Sequence, residues 1–310
     1  MFRYERLRSS WLSVLIVPTL LSAGCTPALP SIGGQAAAPS PNVAGNCSAL
    51  PIEPKAFPSI PKVDNRFLPV LPGMQFFLDG FVTADDGSRH PHRIDTTVTQ
   101  LTKVIDGVNT IVIFDRDIED GQLTESEVFF LAQDDRGKVW TFGEYPEEYS
   151  NGQLVGAPSA WLAGAAGGRA GIAMVDRPRA GSPTYLQGLA PEVGFKDCAS
   201  VFKTGQRVCV PVKCYDEVLV TDEFAPLKPR DGHQRKYYAP GVGNIKVAAA
   251  GGVDPETLEL TRAAKLCPSE LADVQAQALS QDGRGYQVAK DIYGKTPPAK
   301  ETVRAQTCNT

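Results

Sequence analysis

Closely spaced carboxylates are the first residues in this chain whose types and spacing could do chemistry. Asp115, Asp117 and Glu119 alternate along one segment, and their spacing is similar to the start of a calcium-binding EF-hand loop. That loop needs Gly at its sixth position and Glu at its twelfth, where this chain has Asp120 and Ser126. The segment therefore fits better as one strand of a hairpin whose polar side chains alternate toward solvent.

Histidines are the second candidate for a metal site. His90 and His92 flank a proline, and the third histidine, His233, lies in a separate turn. Because proline favours an extended or turned backbone, a surface loop is the better interpretation than copper or zinc binding. We expect no metal site and no cofactor.

Covalent catalysis has no support in the sequence, because it contains no G-x-S-x-G motif and no cysteine that is clearly free. Carboxylates are plentiful, but general acid–base catalysis also needs a cleft and shifted pKa values. Two or three convergent carboxylates with raised pKa values would favour a hydrolase. A broad apolar concavity would favour a carrier of a hydrophobic ligand, and a fully packed sheet would favour a structural role.

A set of large aromatic residues near polar turns is a candidate ligand groove. Such residues also form the core and the cross-strand pairs of ordinary sheets, and the sequence leaves both interpretations open. The candidate groove residues are Trp140, Tyr145, Trp161, Tyr237 and Tyr238.

The first 24 residues are predicted to be a signal peptide. Arg3, Arg6 and Arg8 precede an apolar run from Trp11 to Leu21 that is interrupted by Pro18. This run is too short to span a bilayer, which indicates a targeting signal rather than an anchor helix.

Cys25 is the predicted site of lipidation. The small residues Ala23 and Gly24 before it resemble the lipobox of bacterial lipoproteins, in which the cysteine is acylated; Ser22 departs from the usual leucine. Residues 25–59 are rich in Pro, Ala, Gly and Ser and are predicted to form a flexible tether. We therefore expect membrane lipid as a partner through Cys25. Because Thr26 is not the aspartate that signals inner-membrane retention, the outer membrane or the cell surface is the expected location if the host has an outer membrane.

The other six cysteines are an even number, which in an exported protein predicts disulfide bonds. Fifteen pairings are possible. We expect Cys267 to pair with Cys308 and hold the C-terminal tail, with Cys47 as the competing partner. The candidates are Cys47, Cys198, Cys209, Cys214, Cys267 and Cys308.

The elements that must position these residues are predicted to be mainly β. The segment from Thr102 to Glu144 alternates β-branched and aromatic runs with Asp-Gly and similar turns, which is typical of an antiparallel meander. Its strand from Val108 is apolar on both faces and should be covered on both sides. The strand from Lys138 to Gly143 is predicted to be half-solvated.

Further turns and a helix complete the predicted order. We expect a loop from Trp161 to Gly171 and a turn at Thr204-Gly205. A helix should begin at Pro268 and end at Asp282-Gly283, followed by a short helix within Tyr286–Tyr293.

The predicted fold class is therefore mainly β, with an antiparallel meander that forms a curved sheet, a sandwich or a partly open barrel and a short helical C-terminal tail. The β-rich domain is expected at residues 60–262 and the tail at 263–310. With a net charge of −4, the chain lacks the basic face that nucleic-acid binding needs.

Five motifs resemble a family of secreted and lipid-anchored bacterial proteins that has no assigned activity. The resemblance covers roughly Phe67 to Lys246. The segment from Val208 to Val220 is also similar, more distantly, to periplasmic half-barrels related to lipoprotein carriers, and this similarity implies a curved sheet around a hydrophobic ligand. The five motifs are TKVIDGV (102–108), AQDDRGKVWTFGE (132–144), VCVPVKCYDEVLVT (208–221), TDEFAPLKP (221–229) and KYYAPGVGNIK (236–246).

These observations predict a lipid-anchored protein of the cell envelope, of binding or structural type and without an identifiable catalytic apparatus. A hydrolase that acts on an envelope polymer with paired carboxylates is one alternative. A carrier of a lipid or another hydrophobic ligand is the other. The expected partners are membrane lipid and a hydrophobic ligand or another envelope protein.

Overall fold

A computed structural model describes residues 47–84 and 86–302. The predicted signal peptide, the lipidation site Cys25, the tether up to residue 46 and Cys308 lie outside the described residues. The predictions made for them stay predictions.

The described residues are mainly β-strands. Two short strands, β1 (Val63–Asp64) and β2 (Pro69–Val70), pair only with each other. The remaining strands belong to one sheet. In chain order they are β3 (Met74–Thr83), β4 (Arg89–Ile105), β5 (Val108–Glu119), β6 (Gln122–Gln133), β7 (Val139–Ser150), β8 (Gln153–Gly156), β9 (Trp161–Leu162), β10 (Arg169–Met174), β11 (Tyr185–Ala190), β12 (Phe195–Val210), β13 (Lys213–Phe224), β14 (His233–Ala239), β15 (Gly243–Ala250), β16 (Glu256–Lys265) and β17 (Lys300–Glu301).

Twelve of these strands close into an antiparallel barrel. Strands β10 to β16 pair with one another in sequence order, and β16 pairs with β3. Strands β3 to β7 then pair in sequence order, and β7 pairs with β10 to close the barrel. The Asp-Gly turns predicted at 106–107 and 120–121 join neighbouring strands, and both residues of each turn have positive φ. This is the type of turn whose twist suits a two-residue hairpin. The mainly β, antiparallel prediction is confirmed, and the sheet is closed.

Three predictions about strands, turns and loops are wrong. Strand β12 runs through the predicted turn at Thr204-Gly205, where its register against β13 shifts, and the chain reverses only at Pro211-Val212. The predicted loop Trp161–Gly171 contains β9 and the start of β10. The strand predicted to be half-solvated is buried on both faces. Trp140 and Phe142 lie in the apolar cluster that contains helical residues, and Val139 lies in the cluster inside the barrel.

Strand β5 is covered on both faces, as predicted. Val112 and Phe114 lie in the same apolar cluster as Ala278 and Tyr293 of the C-terminal helices, which marks the outer face of the barrel. Ile113 belongs to a second cluster with residues from strands around the barrel, which marks the inner face. Because alternate residues of a strand point to opposite faces, this assigns every residue of β5 to one side.

Two helices follow the barrel: α1 (Pro268–Val288) and α2 (Lys290–Tyr293). Pro268 suits the first helical position, and the Glu270 carboxylate accepts a hydrogen bond of 2.8 Å from the Cys267 N–H. Helix α1 passes through Asp282-Gly283, where it was predicted to end. Asp282 forms a buried ion pair with the barrel, and this tertiary contact outweighs the local preference of Asp-Gly for a turn.

The Lys103 cluster, formed by Lys103, Asp282, Tyr286 and Tyr293, holds α1 against strand β4. Lys103 Nζ lies 2.9 Å from Asp282 Oδ1 and donates hydrogen bonds of 2.8 Å each to Tyr286 Oη and to the carbonyl of Pro297. The same ammonium lies over the Tyr286 and Tyr293 rings, at 5.0 and 4.6 Å from their centroids. Burial lowers the pKa of Lys103, while Asp282 opposes that shift.

Candidate functional site

The inside of the barrel has two chemically different halves. One half is apolar, and its side chains come from strands around the whole barrel. Residues of the β1–β2 hairpin, namely Val63, Phe67 and Val70, pack into this half. The half is thus filled by the chain's own apolar residues, including Ile111, Ile113, Leu131, Val139, Met174, Val201 and Leu219.

The other half of the barrel interior carries carboxylates, on strand positions that also point inward. Asp115 follows Ile113 by two residues on β5, so it shares that inner face. It pairs across the sheet with Glu127, which lies on the inner face of β6 with Phe129 and Leu131. We call Asp115, Glu127, Glu144, Asp197, Glu223 and Lys236 the acid cluster; their charges influence one another's pKa values.

Glu127 is the central member of the acid cluster. It is 2 % exposed, and among the described residues its carboxyl oxygens meet no N–H or hydroxyl donor; its carboxyl group forms a hydrogen bond with that of Glu144. Burial raises its pKa well above the usual range, and the negative charge of Glu144 raises it further. Glu127 therefore keeps its proton at pH values where an exposed glutamate has lost it.

Glu144 is positioned by a tryptophan. Trp161 Nε1 donates a hydrogen bond of 2.8 Å to Glu144 Oε1. Burial raises the pKa of Glu144, and this hydrogen bond opposes the shift. The indole has room only because residue 188 is glycine, since a Cβ there would come within 2.8 Å of Trp161 Cζ2. Gly143, at φ +140°, likewise lets the backbone of Trp161 lie close to β7.

The other two carboxyl groups with raised pKa values are Asp115 and Asp197. Burial raises the pKa of Asp115 to about 7 and that of Asp197 to about 8. Their environments therefore hold protons on both groups well above the usual range for aspartate.

Glu223 and Lys236 form the charge-matched part of the acid cluster. Lys236 Nζ lies 2.8 Å from Glu223 Oε2, while Thr221 and Tyr238 donate hydrogen bonds of 2.8 and 3.2 Å to Glu223 Oε1. Burial by itself would raise the pKa of Glu223, but Lys236 and these hydrogen bonds lower it to about 2. Glu223 is therefore ionised and offsets the charge of Lys236.

The histidine segment and the EF-hand-like segment are not exposed to solvent in the way the sequence predicted. His92, predicted in a surface loop, lies on β4 and is fully buried, with Nε2 2.5 Å from Asp117 Oδ1 and Nδ1 2.6 Å from Glu256 Oε1. Asp115 and Asp117 face the barrel interior rather than solvent. Among the described residues, no group of three or more His, Cys, Asp or Glu side chains could hold a metal ion.

The predicted aromatic groove is not a single surface. Trp140 and Tyr145 lie on the outer face, in the cluster that packs against the helices. Trp161 contacts Glu144, and Tyr238 contacts Glu223, both within the acid cluster. Tyr237 lies on the opposite face of its strand from Tyr238, beside Lys246. The structure brings only Trp161 and Tyr238 to the acid cluster.

Four of the six predicted disulfide cysteines are paired. Cys47 is bonded to Cys198, and Cys209 is bonded to Cys214 across the β12–β13 hairpin. Cys267 is exposed and has no disulfide partner within residues 47–302, so its pairing with Cys308 stays a prediction.

One apolar pocket lies beside strand β4. It has a volume of about 110 Å³ and is lined by Pro61, Pro72, Leu101, Ile111 and neighbouring residues. Ligand pockets usually measure about 300–1,000 Å³, so this one is too small for a lipid. No helix in the described part of the chain is long and apolar enough to cross a membrane.

Comparisons with known proteins return structural likeness only. No protein-family model matches the chain, and no curated protein matches it. A Bacteroides fragilis protein, provisionally described as exported and with a YmcC-like fold, has a TM-score of 0.38 and 14 % identity, and the match covers 65 % of this chain and 100 % of that one. A Parabacteroides distasonis protein, provisionally described as a lipoprotein, has a TM-score of 0.35 and 10 % identity, with coverages of 64 % and 99 %. Similarity this low supports no inference about activity.

Proposed function

We propose that the chain is an exported, lipid-anchored binding protein of the bacterial cell envelope, and that the acid cluster contacts its ligand. The observation that carries this proposal is the buried carboxyl pair of Glu127 and Glu144, which share a hydrogen bond and whose pKa values are both raised. A pair of buried acids is destabilising once both ionise, and apolar side chains of similar volume would usually stabilise the fold. Binding a ligand is a function that would explain this pair.

The location in the envelope is supported by the sequence and by the disulfides. The predicted signal peptide ends just before Cys25, in a lipobox-like segment. The Cys47–Cys198 and Cys209–Cys214 bonds are typical of an oxidising compartment outside the cytoplasm. Acylated Cys25 would supply the membrane attachment, in the outer membrane or at the surface of a host that has an outer membrane.

Replacing the acylated cysteine tests the anchor. We expect Cys25→Ser to move the exported protein from the membrane fraction to the soluble fraction, because the chain would lose its acyl chains. Cys267→Ser is the matched control, since Cys267 is exposed and far along the chain, and it should fractionate as wild type does. Membrane fractionation of Cys25→Ser that equals wild type would contradict lipid anchoring.

A hydrolase is the second candidate, because Glu127 and Glu144 are neighbouring buried carboxyl groups with raised pKa values. One protonated and one ionised carboxyl group are the components of acid–base hydrolysis. Turnover of an envelope glycan that is abolished by Glu127→Gln would favour this candidate. Saturable binding without turnover would favour the binding protein.

A further inference from the structure

We propose that the Cys209–Cys214 bond is a thiol–disulfide exchange site, which a dithiol reductant opens while the barrel stays folded. Its reduction releases the tip of the β12–β13 hairpin and leaves the Cys47–Cys198 bond intact. This inference goes beyond the binding function proposed above and does not depend on it. It follows from the exposure of the hairpin disulfide, the short loop that it closes and the turn beside it.

The two disulfides differ in how well a thiol in solution can reach them. Cys209 and Cys214 are exposed, whereas Cys47 and Cys198 are only 2 % and 0 % exposed. Exchange begins when a thiolate attacks one of the sulfur atoms, so it requires access to that atom. The hairpin disulfide can therefore react in the folded chain, and the buried disulfide cannot.

The two disulfides also differ in how much of the chain they constrain. Cys209 and Cys214 are five residues apart in the sequence, while Cys47 and Cys198 are 151 residues apart. In the chain-entropy model, the stabilisation from a disulfide grows with the length of the loop that it closes. The hairpin disulfide therefore contributes less to the stability of the fold than the buried one.

Apolar packing holds the hairpin against the barrel without help from its disulfide. Val210 and Tyr215, which adjoin the two cysteines in the sequence, are buried in a cluster with Leu78 of β3 and Ile245 of β15. Because adjacent residues of a strand point to opposite faces, the cysteines lie on the other face of the hairpin. Breaking their bond leaves this cluster in place.

The turn beside the disulfide does not by itself favour a closed tip. Pro211 and Val212 form a two-residue turn, since Val210 pairs with Lys213. Neither central residue has a positive φ, unlike the residues of the Asp-Gly turns elsewhere in the sheet. Two-residue hairpins favour turns with positive φ, because the common alternatives splay the strands. The disulfide therefore clamps the strand ends together, and its reduction lets the tip open.

The exchange reaction has two steps. A thiolate of the dithiol attacks one sulfur of the Cys209–Cys214 bond; that bond breaks, a mixed disulfide forms, and the other cysteine leaves as a thiolate and takes up a proton. The second thiol of the reductant, after losing its proton, attacks the mixed disulfide and releases the remaining cysteine, which is protonated in turn. The reductant becomes a disulfide, and the chain gains two electrons and two protons.

Graded reduction of the purified exported chain with dithiothreitol tests the proposal. Alkylation followed by peptide mass spectrometry measures each disulfide separately. We expect Cys209–Cys214 to be reduced at least roughly tenfold faster than Cys47–Cys198, because only the former is accessible. The circular dichroism should not change, and amide hydrogen exchange should rise at residues 209–214 but not in β5. Cys209→Ser/Cys214→Ser should show the same raised exchange without reductant.

Two further variants separate the clamp from other causes. Pro211→Asn/Val212→Gly introduces a turn that suits a two-residue hairpin, so its reduction should not raise exchange at the tip. Cys267→Ser is the matched control, because it removes an exposed thiol and neither disulfide, and it should respond as wild type does. The proposal is overturned if both disulfides are reduced at the same rate, if reduction unfolds the barrel, or if exchange at the tip stays unchanged. It is also overturned if the turn variant opens on reduction as wild type does.

Discussion

Two buried ionic clusters on opposite faces of the same barrel wall differ in how their charges are balanced. On the outer face, Lys103 meets Asp282 and two further hydrogen-bond acceptors, and the Asp282 carboxylate also accepts the Ala299 N–H at 2.9 Å. On the inner face, Glu127 shares a hydrogen bond with Glu144, another acid, and both groups have raised pKa values. The first cluster is charge-matched and the second is not.

This difference separates a cluster that stabilises the fold from one that does not. A matched buried pair fixes the position of helix α1 on β4, and breaking it leaves one buried charge uncompensated. An unmatched buried acid stabilises nothing in the unliganded chain, and protonation limits its unfavourable contribution. Mutations should therefore have opposite signs in the two clusters.

The largest effect is expected in the Lys103 cluster. Lys103→Met should lower the free energy of unfolding by roughly 3–5 kcal/mol, because Asp282 is left buried without its partner. Chemical denaturation measures the change. The double variant Lys103→Met/Asp282→Leu is the control and should recover most of the loss, since neither charge remains. If Lys103→Met alone matches wild type, the pair does not hold the helix.

A second prediction compares a residue of strand β5 with the residue just before strand β7. Ile113→Ala should destabilise by roughly 2–5 kcal/mol, because it deletes a large side chain from the filled apolar half of the barrel. Lys138→Ala, at a partly exposed site, should stay within about 0.5 kcal/mol. Thermal denaturation ranks the two variants.

Asp115→Asn, two residues further along the same inner face, sharpens this comparison. It should be neutral or stabilising above pH 7, where the native carboxyl group ionises. Melting of Ile113→Ala at the wild-type temperature would show that the inner face has been assigned wrongly.

The sequence was sufficient to predict the strands of the central meander because their signals are local. Asp106-Gly107 and Asp120-Gly121 each require positive φ and thus determine a turn between two strands. The apolar residues on both faces of β5 correctly predicted that each face is covered. The error at Asp282 had a long-range cause, since only the fold brings Lys103, 179 residues earlier in the sequence, against the helix.

The acid cluster could not be predicted from the sequence for a related reason. Alternation shows that Asp115 and Asp117 share a face, but it does not show whether that face is solvent or the inside of a closed sheet. Closure depends on the pairing of β7 with β10, which no local pattern encodes. His92 was predicted in a loop because Pro91 precedes it, whereas the structure places it on β4. The available signal was that Asp115 and Asp117 lie on the same face of β5 as the apolar residues Ile111 and Ile113.

The pH dependence of stability tests most directly the claim that Glu127 is an uncompensated buried acid. Burial raises the pKa of Glu127, Glu144, Asp115 and Asp197 above the values of the unfolded chain, so the folded protein binds more protons than the unfolded one. Their contribution to stability is therefore complete below about pH 4 and is lost as pH rises through about 7 to 8.

Urea unfolding at pH 5 and pH 8 measures this loss in the unliganded chain. We predict that wild type is less stable at pH 8 than at pH 5, and that Glu127→Gln reduces the difference because glutamine does not ionise. A wild-type stability that is equal or greater at pH 8, or an undiminished difference in Glu127→Gln, would contradict the claim.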